Sequence, residues 1–535
     1  MQLNLKQLFE RAERYFPDNE IVSRRADGTL FRYRYSDYAQ RVRRLADALG
    51  KLGIRVGDRV GTLEWNTYRH FELYAAVTCF GAVLHTINVR LGDEDISYIL
   101  NKAQDVALIV APEFLPMIER IAPQLPFLKH IIIAVDVGAD VATKFRTYNY
   151  EALLNTGKPD YPFADIHENS TAGMCFTSAT TGRPKGVIYS HRDLYLHSMA
   201  LCMTDVMGLG ERDTIMPVVP MFHANAWGLP YAALAVGAKM VLPGPRPMAN
   251  DILDLIAGER ITFFAAAVTV GFQIFDELQR RPRDISSLRE LMLGGSATPA
   301  TLMRRFQEGY GISIYTAWGA TECAPIATVT HLRRQLLSAG SEARIGVRTR
   351  QGIPVPGIEV RVLDADGKQV PWNDTEVGEV YVRGLWIAKS YYEDDRSKEN
   401  FVEGWWKSGD LATVDDTGSM RLIDRSKDLI KSGGEWISSI DLENELTACP
   451  GVSEAAVVAV PHEKWQERPV AYVVRSASGP GVDVAELTRW LARRFPKWWL
   501  PDSYVFVADL PKTGVGKINK RELRGRVVED LTSGR

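Results

Sequence analysis

Between Thr177 and Gly186 the chain reads TSATTGRPKG, a run of short hydroxyl side chains and glycine that closes on Lys185 and is flanked by the β-forming stretches GMCF and GVIYSH. Short hydroxyls and unhindered N–H groups can surround an anion closely, and Lys185 adds a full positive charge, so this stretch suits phosphate oxygens. An ordinary polar turn has a similar composition. The nucleotide-hydrolysing loop G-x-x-x-x-G-K-[ST] does not fit, because Pro184 precedes Lys185 and Gly186 follows it, leading into a strand instead of a helix. Three further stretches concentrate reactive side chains: YTAWGATECAP, with Thr321 and Glu322; WWKSGDLATVDDTGSMRLIDRSKDLIKSGGEW, with Asp410, Arg425 and Lys427; and LPKTGVGKINKREL, with Lys517 between glycine and an apolar residue. A lysine 4 Å from a developing negative charge contributes ~4 kcal/mol at an effective dielectric of about 20. Confined to a transition state, that is on the order of a thousandfold in rate.

These four stretches, in this order, resemble the signatures of the adenylate-forming enzymes: acyl-CoA synthetases, adenylation domains of peptide synthetases and firefly-type luciferases. VVPMFHANAW and DLIKSGGEWISSIDLENEL bring the likeness closest to bacterial medium- and long-chain fatty acyl-CoA synthetases. The resemblance implies ATP, Mg²⁺ and coenzyme A, and activation of a medium- or long-chain fatty acid as acyl-AMP before transfer to CoA, with a short thioether, branched or aryl acid as the alternative substrate and a carrier-protein-loading adenylation enzyme as the alternative acceptor chemistry. Among site residues it implies Thr177, Ser178, Thr180, Thr181, Gly182 and Lys185 for phosphate; Glu322 with Thr321 for Mg²⁺ and the α-phosphate, Thr177 adding a hydroxyl to the metal; and Lys517 as the catalytic cation. Trp318, followed by Gly319, takes the adenine-stacking position, where tyrosine is more usual, and Gly294, Gly295 and Ser296 line the adenine and the acid. Asp410 suits both ribose hydroxyls, because a carboxylate has two acceptor oxygens, and Arg425 is a second ribose or phosphate contact. Lys427 falls at the hinge, Gly433 and Gly434 are expected along a pantetheine channel, and Trp436 against either the nucleotide or that channel. His223 stands where an aromatic or histidine group meets the acyl carboxylate. Trp227 and the run FFAAAVTVGF wall the acyl pocket, with Val268 in place of a common proline and Gly271 in place of a large residue, a change that would widen the tunnel. Ala179 replaces a usual glycine.

The elements that must hold these side chains follow from periodicity. SDYAQRVRRLADALGKLG puts Tyr38, Val42, Leu45, Ala46, Leu49 and Leu52 on one helical face, with Ser36 placed to cap it and Gly53 to end it. RVGTLEW, YRHFELYAAVTCF, AVLHTIN, DISYILNKA and VALIVAP then alternate strand and helix, the pattern of layered α/β architecture. Beyond about Gly378 short strand runs take over. The expected fold is therefore α/β, a large N-terminal domain of layered sheets and helices over 1–425 plus a small mobile α+β C-terminal domain over 426–535. The chain has 535 residues, is 46% hydrophobic and carries a formal net charge of −2, enough to build a sizeable core but offering no field for nucleic acid or an anionic membrane. Its five scattered cysteines lack C-x-x-C spacing, which points away from a disulfide framework or zinc site and towards a reducing cytoplasm. No run approaches the length of a membrane span. A homodimer is expected from the resemblance alone.

Overall fold

The computed structural model describes residues 2–139, 143, 146–177, 183–433, 435–476, 481–513 and 517–532. The described strands form four sheets. In the seven-stranded sheet, Thr147–Asn149, His130–Ile133, Ala107–Val110, Arg59–Leu63, Val83–Thr86 and Thr171–Phe176 run parallel in that spatial order, and Gly186–Ser190 adds an antiparallel edge. The nine-stranded sheet has a parallel centre made of Glu20–Arg24, Lys239–Leu242, Thr214–Pro217, Phe263–Ala267, Glu290–Gly294 and Ser313–Gly319. Helices separate the parallel strands because each crossover must return the chain to the same end of its sheet.

The helix Tyr35–Lys51 buries the expected face, Tyr38, Val42, Leu45, Ala46 and Leu49. Its start differs from expectation: Ser36 lies inside the first turn, and the Asp37 carboxylate accepts the Arg34 N–H at 3.1 Å. The helix begins one residue before Ser36, so its N-cap is Arg34, and Asp37 satisfies the N–H of that cap. Tyr68–Phe80 is buried on nearly every face, polar His70 and Glu72 included, its Gly81 C-cap in the left-handed region at φ 97°.

The third sheet is antiparallel and holds Ile358–Leu363, Gly378–Gly384, Phe401–Val402, Trp405–Val414 and Met420–Arg425. Val380, Val382, Trp386, Trp406, Ala412 and Met420 share one apolar cluster with the N-terminal helices. The change of texture near Gly378 thus marks a third layer of the same body. The fourth sheet, Ile430–Ser432, Glu435–Ile437, Val452–His462, Gln466–Arg475 and Ser503–Val507, has separate cores around Leu442, Leu446, Val457 and Leu487 and around Val458, Tyr472 and Leu523. Among the described residues no helix is long and apolar enough to cross a membrane.

Candidate active site

In open parallel sheets, ligands bind beyond the carboxyl ends of the strands. Here Thr214–Pro217 leads into Val218 and Val219, Phe263–Ala267 into Val268, Glu290–Gly294 into Gly295 and Ser296, and Ser313–Gly319 into Thr321 and Glu322; all of these line one cavity of about 740 Å³. The third sheet contributes Asp410 and Arg425 to the same cavity, and the C-terminal body contributes Lys517.

Thr177 and Lys185 close the base of the phosphate-type loop: Thr177 N–H donates to the Lys185 carbonyl at 2.9 Å, and Lys185 N–H to Thr177 Oγ1 at 3.2 Å. Ser178, Thr180, Thr181 and Gly182 lie outside the described residues. The Lys185 ammonium donates to the Tyr391 hydroxyl at 2.9 Å, and that hydroxyl donates to Glu322 Oε1 at 2.7 Å. Trp406 Nε1 also donates to Tyr391, at 3.4 Å. Burial holds the Lys185 ammonium below its ordinary pKa, against the opposing pull of Glu322. Tyr391 thereby links the two residues expected at the phosphates. It belongs to KSYYED, where no motif announced it.

Glu322 and Thr321 are buried on the short turn Thr321–Cys323, with the Thr321 carbonyl held by the Tyr189 hydroxyl at 2.7 Å and the Glu322 carbonyl by Ala388 N–H at 2.8 Å. Both carbonyl contacts leave the side chains for the cavity wall. Among the described residues no group of three or more His, Cys, Asp and Glu side chains could hold a metal ion by itself. One carboxylate with neighbouring hydroxyls fits a hard divalent ion that takes its remaining oxygens from phosphates.

Asp410 is 7% exposed and its two oxygens are separately engaged: Oδ2 accepts from Trp318 Nε1 at 2.9 Å, and Oδ1 pairs with Arg425 Nε at 3.1 Å. Residues expected to touch different parts of one nucleotide therefore form one assembly, each carboxylate oxygen retaining acceptor capacity for a hydroxyl. Trp318 is nearly buried and lies roughly parallel to Trp406, with ring centroids 6.4 Å apart.

A Cβ added at Gly295, whose φ is +88°, would stand 3.5 Å from Lys517 Cε, so the C-terminal lysine reaches the ends of the parallel strands. Burial, with help from the nearby Arg425 charge, lowers the Lys517 pKa to about 8. His223 is held down to about 3 by burial and then by Lys517, so its imidazole is neutral. A Cβ at Gly294 would come within 2.8 Å of Trp227 Cη2: the missing side chain is what lets the indole lie against the strand end. Trp227 follows Ala224, Asn225 and Ala226 through four consecutive left-handed conformations, φ 43°, 54°, 47° and 57°, a strained route that concentrates at a cavity wall.

Not every expected residue meets there. Val268 lines the cavity, but Gly271 does not: a Cβ on it would strike Leu293 Cδ1 at 2.7 Å, so its role is to admit Leu293 into the core, and the expected widening of an acyl tunnel at Gly271 is corrected. Lys427 lines the cavity at the turn between the third and fourth sheets. Gly433 and Trp436 stand away from it. Gly433 turns over the Trp465 ring at φ +63°, and Trp436 is half-exposed with the Lys431 ammonium 5.3 Å from its ring. Gly434 lies outside the described residues.

The AMP-binding enzyme family model matches residues 9–392, and that of the AMP-binding enzyme C-terminal domain matches 441–517. The long-chain-fatty-acid–CoA ligase of Thermus thermophilus is 43% identical over 98% of this chain and 95% of its own length. The 3-methylmercaptopropionyl-CoA ligase of Ruegeria lacuscaerulensis is 40% identical over 99% and 98%. The crystal structure of the anthranilate CoA ligase AuaEII in complex with anthranoyl-AMP superposes with a TM-score of 0.88 at 27% identity, covering 99% of this chain and 98% of that one. With both family models matched in order and the site at the carboxyl ends of the strands, the chain belongs to the AMP-binding enzymes and has the adenylate-forming fold.

Proposed function

We propose that the protein is an ATP-dependent carboxylic acid:CoA ligase acting on a medium- or long-chain fatty acid. The observation that carries the proposal is the position of Lys517, a cation from the C-terminal body seated against Gly295 in the cavity that Glu322 and Asp410 line. A carboxylate is a poor acyl donor because its oxygen leaves badly. Its attack on the α-phosphorus of ATP expels pyrophosphate and creates acyl-AMP, and the obstacle is the meeting of two anions. Lys517 supplies the intervening positive charge, Lys185 faces the phosphates, and Asp410, held by Trp318 and Arg425, orients the ribose. Glu322 with Thr321 and Thr177 would hold Mg²⁺, which would neutralise phosphate charge. Neutral His223 orients the carboxylate without adding a charge of its own. The CoA sulfur then attacks the acyl carbon and AMP leaves. Lys517 occupies the path of that attack, so the reading divides the chain at 425/426 and pivots the small domain at Lys427, bringing Gly433, Gly434 and Trp436 towards pantetheine.

A short thioether acid is the second reading, favoured by the 40% identity to the Ruegeria enzyme. A carrier-protein-loading enzyme would need a carrier as acceptor in place of CoA. The reading also carries a cytoplasmic homodimer, which sedimentation of the purified protein checks. The deciding experiment measures pyrophosphate and AMP release across acids of graded length, with and without CoA. Activity rising with chain length supports the fatty acid, a maximum at a short thioether acid supports the second reading, and ADP as product excludes both. Lys517→Ala is expected to abolish acyl-AMP formation while sparing CoA transfer from pre-formed acyl-AMP. Equal loss of both steps in a folded variant would remove the assigned role.

A further inference from the structure

The turn between the third and fourth sheets is crossed by a buried polar chain that the proposed chemistry does not use. Asp424, at 2% exposure, belongs to the last strand of the large body, Met420–Arg425. Its Oδ2 accepts from both the N–H and the Oγ of Ser439, at 2.7 and 2.6 Å, on the helix Ser439–Ala448 of the C-terminal body. Ser438 Oγ adds a bond to the Ile423 carbonyl at 2.7 Å. Ser439 Oγ in turn accepts from the Lys520 ammonium at 2.6 Å, and Lys520 pairs with Glu443 Oε1, also at 2.6 Å. Glu443 is fixed by Val457 N–H at 2.7 Å. Every bond in the chain has a consistent donor and acceptor, and both serines are almost fully buried.

Lys520 is the first residue of the terminal helix Lys520–Thr532, three positions beyond Lys517. The loop that carries Lys517 is closed on itself, Thr513 N–H donating to the Lys517 carbonyl at 2.6 Å and Asn519 N–H to the Pro511 carbonyl at 2.7 Å. Lys517 and Asn519 are thus tied to the chain on either side, and Lys520 follows them directly. At the other end, Asp424 Oδ1 accepts the Arg425 N–H at 2.8 Å, and the Arg425 side chain lies on Asp410. One continuous chain joins the proposed ribose carboxylate to the loop bearing the proposed catalytic cation.

We propose that Asp424, Ser439 and Lys520 form a latch that seats Lys517 in the cavity for acid activation and is released for the thiol step. The inference rests on the ligase reading above. Ser439 and Lys520 are positioning residues, acting through Lys517. A rotation about the 425–430 turn separates Asp424 from Ser439, because the two stand on opposite sides of it. While the latch is closed, the small body cannot turn without breaking three buried hydrogen bonds, from Ser438 Oγ and from Ser439 N–H and Oγ.

The test uses Ser439→Ala and Lys520→Met, with Lys520→Arg as the conservative variant. Each is assayed for acid-dependent ATP–pyrophosphate exchange and for CoA transfer from supplied acyl-AMP. Ser439→Ala and Lys520→Met are expected to lower exchange about tenfold, as the loss of buried hydrogen bonds to charged partners implies, while CoA transfer holds or rises and Lys520→Arg recovers most of the exchange. An equal fall in both half-reactions, or no fall in exchange, overturns the latch. Backbone hydrogen exchange at Ser426–Asp428 gives a readout independent of turnover: faster exchange in both variants is expected, and unchanged exchange overturns the proposal. Wild-type protein with no acid-dependent exchange would instead defeat the ligase reading, and the hydrogen-exchange comparison would still decide the latch.

Discussion

Tyr391 sits between Lys185 and Glu322, receiving a hydrogen bond from the first and giving one to the second. Tyr391→Phe removes both at once and leaves a buried carboxylate oxygen without its donor, so kcat/KM for ATP is expected to fall about tenfold or more, with the fold retained. Steady-state kinetics with a fixed acid checks it; an unchanged value would mean the tyrosine only packs. Lys517 supports a second prediction at this scale. Its pKa of about 8 lies below that of an ordinary lysine, with burial as the main cause. In the proposed role the ammonium is the working form, so kcat/KM for ATP in acid-dependent pyrophosphate exchange should be level below pH 8 and fall about tenfold per unit above it. Lys517→Arg, which keeps its charge, should lower the rate but flatten that fall. That Lys517, Glu322 and Asp410 would line one cavity was legible through the resemblance, which ties their separated motifs to a single nucleotide. Tyr391 was not, because a tyrosine among KSYYED looks the same whether it packs or bridges, and only the fold brings residues 185, 322 and 391 together.

The strand Glu290–Gly294 shows how an element fixes the meaning of a residue. Gly294 and Gly271 both entered as glycines near an acyl pocket, and both leave room for a neighbour, but on opposite sides of this strand. A methyl at Gly294 meets the Trp227 indole at 2.8 Å on the cavity side, while a methyl at Gly271 meets Leu293 Cδ1 at 2.7 Å in the core. Gly294→Ala is therefore expected to raise KM for the acid and shift chain-length preference, leaving thermal stability nearly intact. Gly271→Ala is expected to cost ~1–3 kcal/mol of stability by overpacking, with acid preference unchanged. Thermal melts and a panel of acids on the two variants separate the roles; a changed preference in Gly271→Ala would restore it to the pocket. Alternation of strands and helices was visible from Ser36 to Pro112 because buried parallel strands and an amphipathic helix carry distinct periods. The side on which a glycine opens space has no period, and so it waited for the packing. The same holds for the start of Tyr35–Lys51, which lies before Ser36 and engages Asp37 instead.

At the scale of the whole molecule, two sets of cores meet at one cavity, the larger body offering Lys185, Glu322 and Asp410 and the smaller one Lys517. The division expected at 425/426 put the strands from Gly378 to Arg425 with the N-terminal helices, whose core they share, but their texture alone did not, since short alternating strands look alike in either body. With separate cores, the two bodies are expected to unfold as distinct transitions, for which a single midpoint is not defined. A tight-binding acyl-AMP analogue touches both, so it should raise both midpoints. At a hundredfold excess over its dissociation constant the stabilisation amounts to about 2.7 kcal/mol. In Lys517→Ala the analogue would keep the proposed contacts with Asp410 and Glu322 and lose the one from Lys517, so the smaller body's midpoint should move less than in the wild type. Calorimetry with and without the analogue measures this directly. A smaller-body transition that shifts equally in both proteins would mean that other contacts, the Asp424 and Ser439 latch foremost, transmit binding across the turn without Lys517.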